Sequence, residues 1–265
     1  LPALQYPLAA TAVNGIGFVV QGYNREDEKT VLARLNTNAV TVWQEEYDTF
    51  EDVEEDIVKH LIGTSRPLPF MTGSTGSSFF FNGFYNYSFS MGFVNAADGS
   101  LTGVINGPGV EDAISGATQI NGTEFAMARY SYLDNKIIPS YNVNVNGIEV
   151  TGDLEGLQFE ELTQQAKFQI KKINAAGKST VIYGTETKKG QVLLLAYDQN
   201  TQELLGSRYL GYEQPYQMAD FKKTLDGGLI VLASTHVTGR FPRLALFKLS
   251  KTDLESLVGG VATGS

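Results

Sequence analysis

The sequence predicts an all-β fold assembled from five similar units of four antiparallel strands, and three observations carry that prediction. First, one kind of hairpin recurs along the chain: an apolar segment, a glycine-containing turn, and a second strand rich in Val, Ile, Phe and Leu. Second, those second strands begin near Phe18, Phe70, Phe125, Thr180 and Leu229, at intervals of 52, 55, 55 and 49 residues. Third, 28 Gly and 13 Tyr with 42% hydrophobic residues suit a turn-rich β protein with a real core. A repeat of this length marks a repeat architecture, and four antiparallel strands per unit is the content of one β-propeller blade. The expectation is a single β-propeller domain over 1–265. It has five four-stranded blades, with six as the alternative count, at about 1–50, 51–108, 109–155, 156–213 and 214–265.

Each unit is justified by its own residues. The hairpins are AVNGIGFVVQG (12–22), QINGTEFAMAR (119–129), INAAGKSTVIYG (173–184) and TLDGGLIVLAS (224–234), with PLPFMTG (67–73) as a weaker member. Asn-Gly and Asp-Gly supply the positive φ angles that tight hairpins need. A further strand, a polar turn and a last strand follow in TVLARLNTNAVTVWQEEY (30–47), YSFSMGFVNAADGSLTGVI (87–105), VLLLAYDQNTQELLGSRYL (192–210) and RLALFKLSKTDLESLVG (243–259). In the third unit IIPSYNVNVNGIEVTG (137–152) takes that place and fits less well. Phe50, Val53, Ile57 and Leu61 stand at helical spacing behind Thr49 and Asp52, so a short helical turn is expected at about 49–56. A second is expected at about 158–165, with inner strands starting near Ile57 and Lys167. Few residues precede the first unit, so ring closure is expected to rest on residues 1–4 as an edge strand or on side-chain packing alone.

These residues also carry a resemblance. Asp226-Gly227-Gly228 before an apolar strand, the strand end Leu246-Phe247-Lys248-Leu249, and Ala33-Arg34-Leu35-Asn36 leading to Trp43-Gln44-Glu45-Glu46-Tyr47 resemble the repeats of bacterial secreted β-propellers. Ala196-Tyr197-Asp198-Gln199-Asn200-Thr201 is similar to the turn of quinoprotein-like propeller repeats, with Gln202 where those carry Gly. The first, fourth and fifth units match well, the second and third poorly. The resemblance implies the architecture and an exported bacterial protein, in the periplasm or at the cell surface. A chain that begins at Leu1 is compatible with a removed signal peptide. The motifs carry over no active site.

Composition excludes several chemistries. With no cysteine there are no disulfides, thiolate nucleophiles or Cys-based metal sites. A net charge of −9 without a basic tract argues against nucleic acid, and no apolar run approaches the roughly 18 residues of a membrane span. The two histidines, His60 and His236, lie in different units. His60, in VKHLIG, reads as a strand-facing structural residue. No phosphate-loop, dinucleotide, zinc-protease or serine-hydrolase motif is present.

The remaining candidates are acids and rings. Residues 1–161 carry 21 acidic and 7 basic side chains, a net of −14, and residues 162–265 carry 8 and 13, a net of +5. The between-blade loops hold Glu45, Glu46, Asp48, Glu111, Asp112, Asp153 and Glu155, an acidic face suited to cationic groups or Ca²⁺; otherwise no cofactor is expected. SSFFFNGFYNYSFSMGFV (77–94) reads as a hairpin turning at Asn82-Gly83, with Tyr85, Tyr87, Phe89, Met91 and Phe93 on one strand face. Its rings either pack on the next blade or, as Phe80, Phe81, Phe84 and Tyr85 at a protruding tip, offer a surface to sugars or a protein. The leading expectation is a non-catalytic binding propeller for an unknown protein or carbohydrate. The alternative is a carbohydrate-active hydrolase with carboxylates around the channel, drawn from Asp56, Glu111 or Asp112, Glu160 or Glu161, and Asp220. Three acids converging from separate blades favour the hydrolase; a channel of apolar or hydroxyl side chains leaves the binding reading standing.

Overall fold

A computed structural model describes residues 4–49, 53–63, 68–86, 88–107, 112–131, 134–212, 214–236 and 241–259. The first sheet is β1 (Tyr6–Val13), β2 (Gly17–Asn24), β3 (Lys29–Leu35) and β4 (Thr41–Asp48), followed by α1 (Val53–Leu61). The second is β5 (Met71–Ser74), β6 (Ser78–Tyr85), β7 (Ser88–Asn95) and β8 (Leu101–Asn106). The third begins with β9 (Asp112–Asn121), β10 (Glu124–Ser131) and β11 (Asp134–Asn142). From there the chain crosses to the second sheet, where β12 (Ile148–Val150) pairs in parallel with β8, and returns as β13 (Leu157–Gln158) beside β11. The fourth sheet is β14 (Gln169–Ala175), β15 (Lys178–Glu186), β16 (Val192–Asp198) and β17 (Leu204–Leu210). The fifth is β18 (Tyr216–Lys223), β19 (Leu229–Thr235) and β20 (Arg243–Leu249), ending in α2 (Lys251–Gly259). Among the described residues every strand pair other than β12 with β8 is antiparallel, and one isolated bridge joins Leu162 to Thr187.

Tight turns make this meander possible. Ala176 and Gly177 both have positive φ, 51° and 73°, the backbone of a two-residue hairpin whose twist matches its strands. First strands lie against one another, β1 on β5, β9 on β14 and β14 on β18, so the sheets stand as blades around an axis. This is a β-propeller.

Blade-on-blade packing explains why many strands are apolar on both faces. Val19, Leu32 and Trp43 of the first blade share a cluster with Phe79, Phe81 and Val94 of the second. Phe80 meets Phe125 of the third blade edge to face, centroids 5.0 Å apart. Tyr183 lies among third- and fourth-blade side chains and donates its hydroxyl to Ile138 O at 2.8 Å. Each fully buried Phe or Leu contributes about 1.5–3 kcal/mol. The polar ends of two buried rings of the first blade find carbonyls: Trp43 Nε1 donates to Ala96 O at 3.1 Å and Tyr47 Oη to Gly99 O at 2.7 Å.

The structure departs from the sequence expectations in four places. The first helix extends to Leu61, the inner strand of the second blade starts only at Met71, and its second strand starts at Ser78 rather than near Phe70. His60 is therefore on a helix, not a strand; Asp52 and Phe50 of the expected helical turn lie outside the described residues. No helix forms at 158–165, where Leu162 instead makes a lone bridge to Thr187. Asn82-Gly83 is not a turn, because β6 runs straight through it. The fifth sheet has three strands, and the segment expected as its fourth is α2. Ser250 caps that helix, its Oγ accepting from Asp253 N at 3.1 Å while Asp253 Oδ2 accepts from Ser250 N at 3.0 Å. Leu254, Leu257 and Val258 are then buried in the cluster between blades four and five.

Among the described residues the outer edge of the fifth sheet is therefore β20. The third strands of blades two and four, β7 and β16, are buried almost throughout. Along β20, by contrast, Leu244 is 81% and Leu246 65% exposed. Among the described residues, no hydrogen bond, ion pair or shared hydrophobic cluster joins the fifth sheet to the first. Residues 1–3, expected to help close the ring, lie outside the described residues.

Candidate functional site

The expected acidic site does not assemble. Glu45 and Glu46 are neighbours in β4 and so point to opposite faces of their sheet. Glu46 accepts from Asn24 Nδ2 at 3.2 Å, and Asp48 lies 3.5 Å from Lys29 Nζ. Glu155 is 3.6 Å from Lys136, and Asp153 closes a 3₁₀ turn over Thr151–Asp153. Asp112 is a correction. It is buried, with Oδ2 accepting from Ser131 Oγ at 3.0 Å and Oδ1 from Thr151 Oγ1 at 2.5 Å, so its lone pairs tie β9 to β10 and the 3₁₀ turn. Glu111 lies outside the described residues. Among the described residues, no three His, Asp or Glu side chains stand close enough to hold a metal ion. The other carboxylates proposed for hydrolysis sit apart: Asp56 on α1, Asp220 paired with Lys171, and Glu161 bonded to Tyr209.

The aromatic tip is also corrected. Phe80, Phe81 and Phe84 are buried, and Tyr85 is half-buried. With β6 continuous, its alternate residues face blades on either side, and each ring has a partner. Phe81 stacks on Tyr47 at 5.2 Å and Phe84 meets Phe89 edge to face at 5.1 Å. The glycine after Asn82 serves close approach rather than a turn: a Cβ on Gly83 would lie 2.1 Å from Gln21 Nε2, whose amide donates to Asn82 O at 3.2 Å.

Near the axis, a cavity of about 360 Å³ lies among Thr11, Thr72, Ser74, Phe80, Thr118 and Gln119. Thr11 Oγ1 donates to Thr72 O at 2.8 Å and Gln119 Nε2 to Ser74 O at 2.7 Å. Among the described residues its lining is hydroxyl, amide and apolar.

A larger groove, about 990 Å³, opens where the connections of the fourth blade meet the fifth, and sequence reasoning missed it. Its walls are Glu161, Lys188, Lys189, Tyr209, Tyr212, Tyr216 and Phe247, among others. Two turns build it. Gly190 (φ 77°) shapes the turn between β15 and β16 and accepts Tyr216 N at 2.8 Å, which ties that turn to the start of β18. Gly211 (φ 88°) follows β17, and a Cβ there would sit 2.3 Å from the Tyr216 ring. Tyr216 in turn meets Phe247 at 5.1 Å. Tyr209 Oη donates to Glu161 at 2.8 and 3.0 Å. Burial first and this carboxylate second push the phenol up to about 12, so it remains a donor. Tyr212 is 88% exposed. Lys188 and Lys189 are exposed and have no carboxylate partner among the described residues. The chemistry on offer is ring stacking beside two free cations and a fixed carboxylate. The sequence signal was the tyrosine-rich Gly211-Tyr212 to Tyr216 connection, which carries meaning only once the lysine turn is seen beside it.

No protein-family profile and no curated protein matches the chain. Solved structures do. A putative 6-phosphogluconolactonase from Bacteroides fragilis is 14% identical, with TM-score 0.50 over 93% of this chain and 68% of that one. Prolyl oligopeptidase B from Galerina marginata, bound to a 25-residue macrocyclization substrate, is 11% identical, with TM-score 0.51 over 93% of this chain and 34% of that one. The C-terminal WD40 domain of Sif2 is 11% identical, with TM-score 0.48 over 87% and 54%. The chain thus spans about half the length of the Sif2 domain and about a third of the oligopeptidase. At such identities the likeness carries the fold alone, the β-propeller.

Proposed function

We propose that this chain is a non-catalytic binding propeller whose ligand, a protein segment or a carbohydrate, sits in the groove between blades four and five. The observation that supports this reading most is the set of exposed rings and unpaired lysines at one groove, set against acids that are scattered or already bonded. Export by a bacterium, to the periplasm or cell surface, belongs to the same proposal and rests on the DGG-type repeat pattern. Among the described residues no helix is long and apolar enough to cross a membrane. Probing immobilised peptide and glycan arrays with the purified chain tests the reading. Tyr212→Ala and the double change Lys188→Ala with Lys189→Ala should each weaken the strongest signal about tenfold, a loss near 1.4 kcal/mol. Equal binding by all three proteins would remove the groove from the function.

A further inference from the structure

Four observations converge on one end of the groove. Among the described residues the sheet of blade five ends at β20, whereas the outer strands β4, β8, β13 and β17 cover the corresponding edges of the other blades. On that edge β20 has no backbone partner among the described residues; Ala245 and Phe247 face the cluster beside the groove, and Leu244 and Leu246 stand exposed on the opposite face. Helix α2 covers part of blade four in place of a fourth strand, packing on β16 and β17 with Arg208 3.5 Å from Asp253. The groove reaches from Phe247 in β20 to Lys188 and Lys189. An unpaired edge is a template for another strand, and main-chain pairing with alternate side chains in pockets is a recurrent mode of peptide recognition.

We infer that the ligand is an extended segment of another polypeptide, which adds as the fourth strand of blade five by pairing with β20 and fills the groove with alternate side chains. This deepens the binding reading above and rests on it. The strand's direction follows from the topology. Outer strands here run antiparallel to their third strands, so the guest starts beside Leu249 and ends beside Arg243. Arg243 pairs with Thr235, whose hydroxyl donates to Pro215 O at 2.9 Å, and Gly190 packs on Pro215. The C-terminal end of the guest therefore arrives at the turn that carries Lys188 and Lys189, and acidic residues belong there. The chain's own β4, Thr-Val-Trp-Gln-Glu-Glu-Tyr-Asp, has the required form: alternating side chains and an acidic C-terminal half.

A synthetic peptide of the sequence Thr41–Asp48 with fluorescein at its N-terminus is the probe, followed by fluorescein anisotropy and by amide hydrogen exchange of the full chain. Binding should slow exchange in β20, and Lys188→Glu with Lys189→Glu should weaken it about tenfold with a smaller salt dependence. Two further peptides carry N-methyl groups on alternate backbone nitrogens, one set on each edge. One set should abolish binding and the other should not, because only one edge of a strand faces β20. If both methylated peptides bind like the parent, or β20 exchange is unchanged, strand addition is overturned. In that event the side-chain variants at the groove still decide the broader binding reading independently. Concentration-dependent dimers that block the peptide would also overturn the inference, assigning the slot to a second copy.

Discussion

His60 accepts the backbone N–H of Leu68 at Nδ1, 2.9 Å away, and meets Phe70 edge to face at 5.1 Å, which leaves its proton on Nε2. Burial holds its pKa below the ordinary histidine value. The unfolded chain therefore takes up a proton first as pH falls. This contribution to stability is complete above the unfolded pKa, about 6.5, and is lost as pH falls from there toward the lower folded value. The melting temperature should decline as pH falls below about 7, and His60→Asn, which keeps an acceptor without titrating, should flatten that slope. Asp198 and Asp253, whose backbone and hydroxyl donors depress them, act only at lower pH. Asp112 makes the opposite point about an acid at a loop end: hydroxyls, not a cation, satisfy it. Millimolar calcium, followed by a chelator, should leave the thermal transition in place; a rise with calcium would assign the acidic loop face to cation binding after all.

At the level of elements, α2 depends on a short local code. Ser250 and Asp253 cap each other's backbone, and Leu254, Leu257 and Val258 follow at the spacing of a helix face. Ser250→Ala should cost about 1 kcal/mol, read from denaturant midpoints with unchanged slope. That code was present in the sequence, yet it was outweighed by the repeat, which called for a strand there. In the first, third, fourth and fifth units the repeat marked the second strand, because glycine turns and apolar strands are local signals; in the second it pointed to Phe70, whereas that strand begins at Ser78. The Asn82-Gly83 pair shows where locality ends. The dipeptide favours a turn, but burial of the flanking rings against two neighbouring blades holds the strand straight. Burial of those same rings could not be told from a protruding tip without the neighbours in place.

Across the whole molecule, the β-propeller class was legible, since antiparallel hairpins recur along the chain with a period of about one blade. The groove was not, because it arises only where the turn at 187–191 meets the connection at 211–216, some twenty residues on along the chain. The crossing of β12 was equally hidden: three residues pairing in parallel with β8 leave little pattern of their own. That crossing is reinforced by Thr102 Oγ1 donating to Val145 O at 2.7 Å and Val104 N to Gly147 O at 2.9 Å. Its consequence is mechanical. Self-contained blades stretched from the chain ends in optical tweezers would yield one after another, each releasing a similar length. Here the third blade cannot be drawn out without tearing its strap from the second. The extension record should therefore contain one release of about double length among single ones, and Glu149→Pro, which cuts the strap, should split it into two.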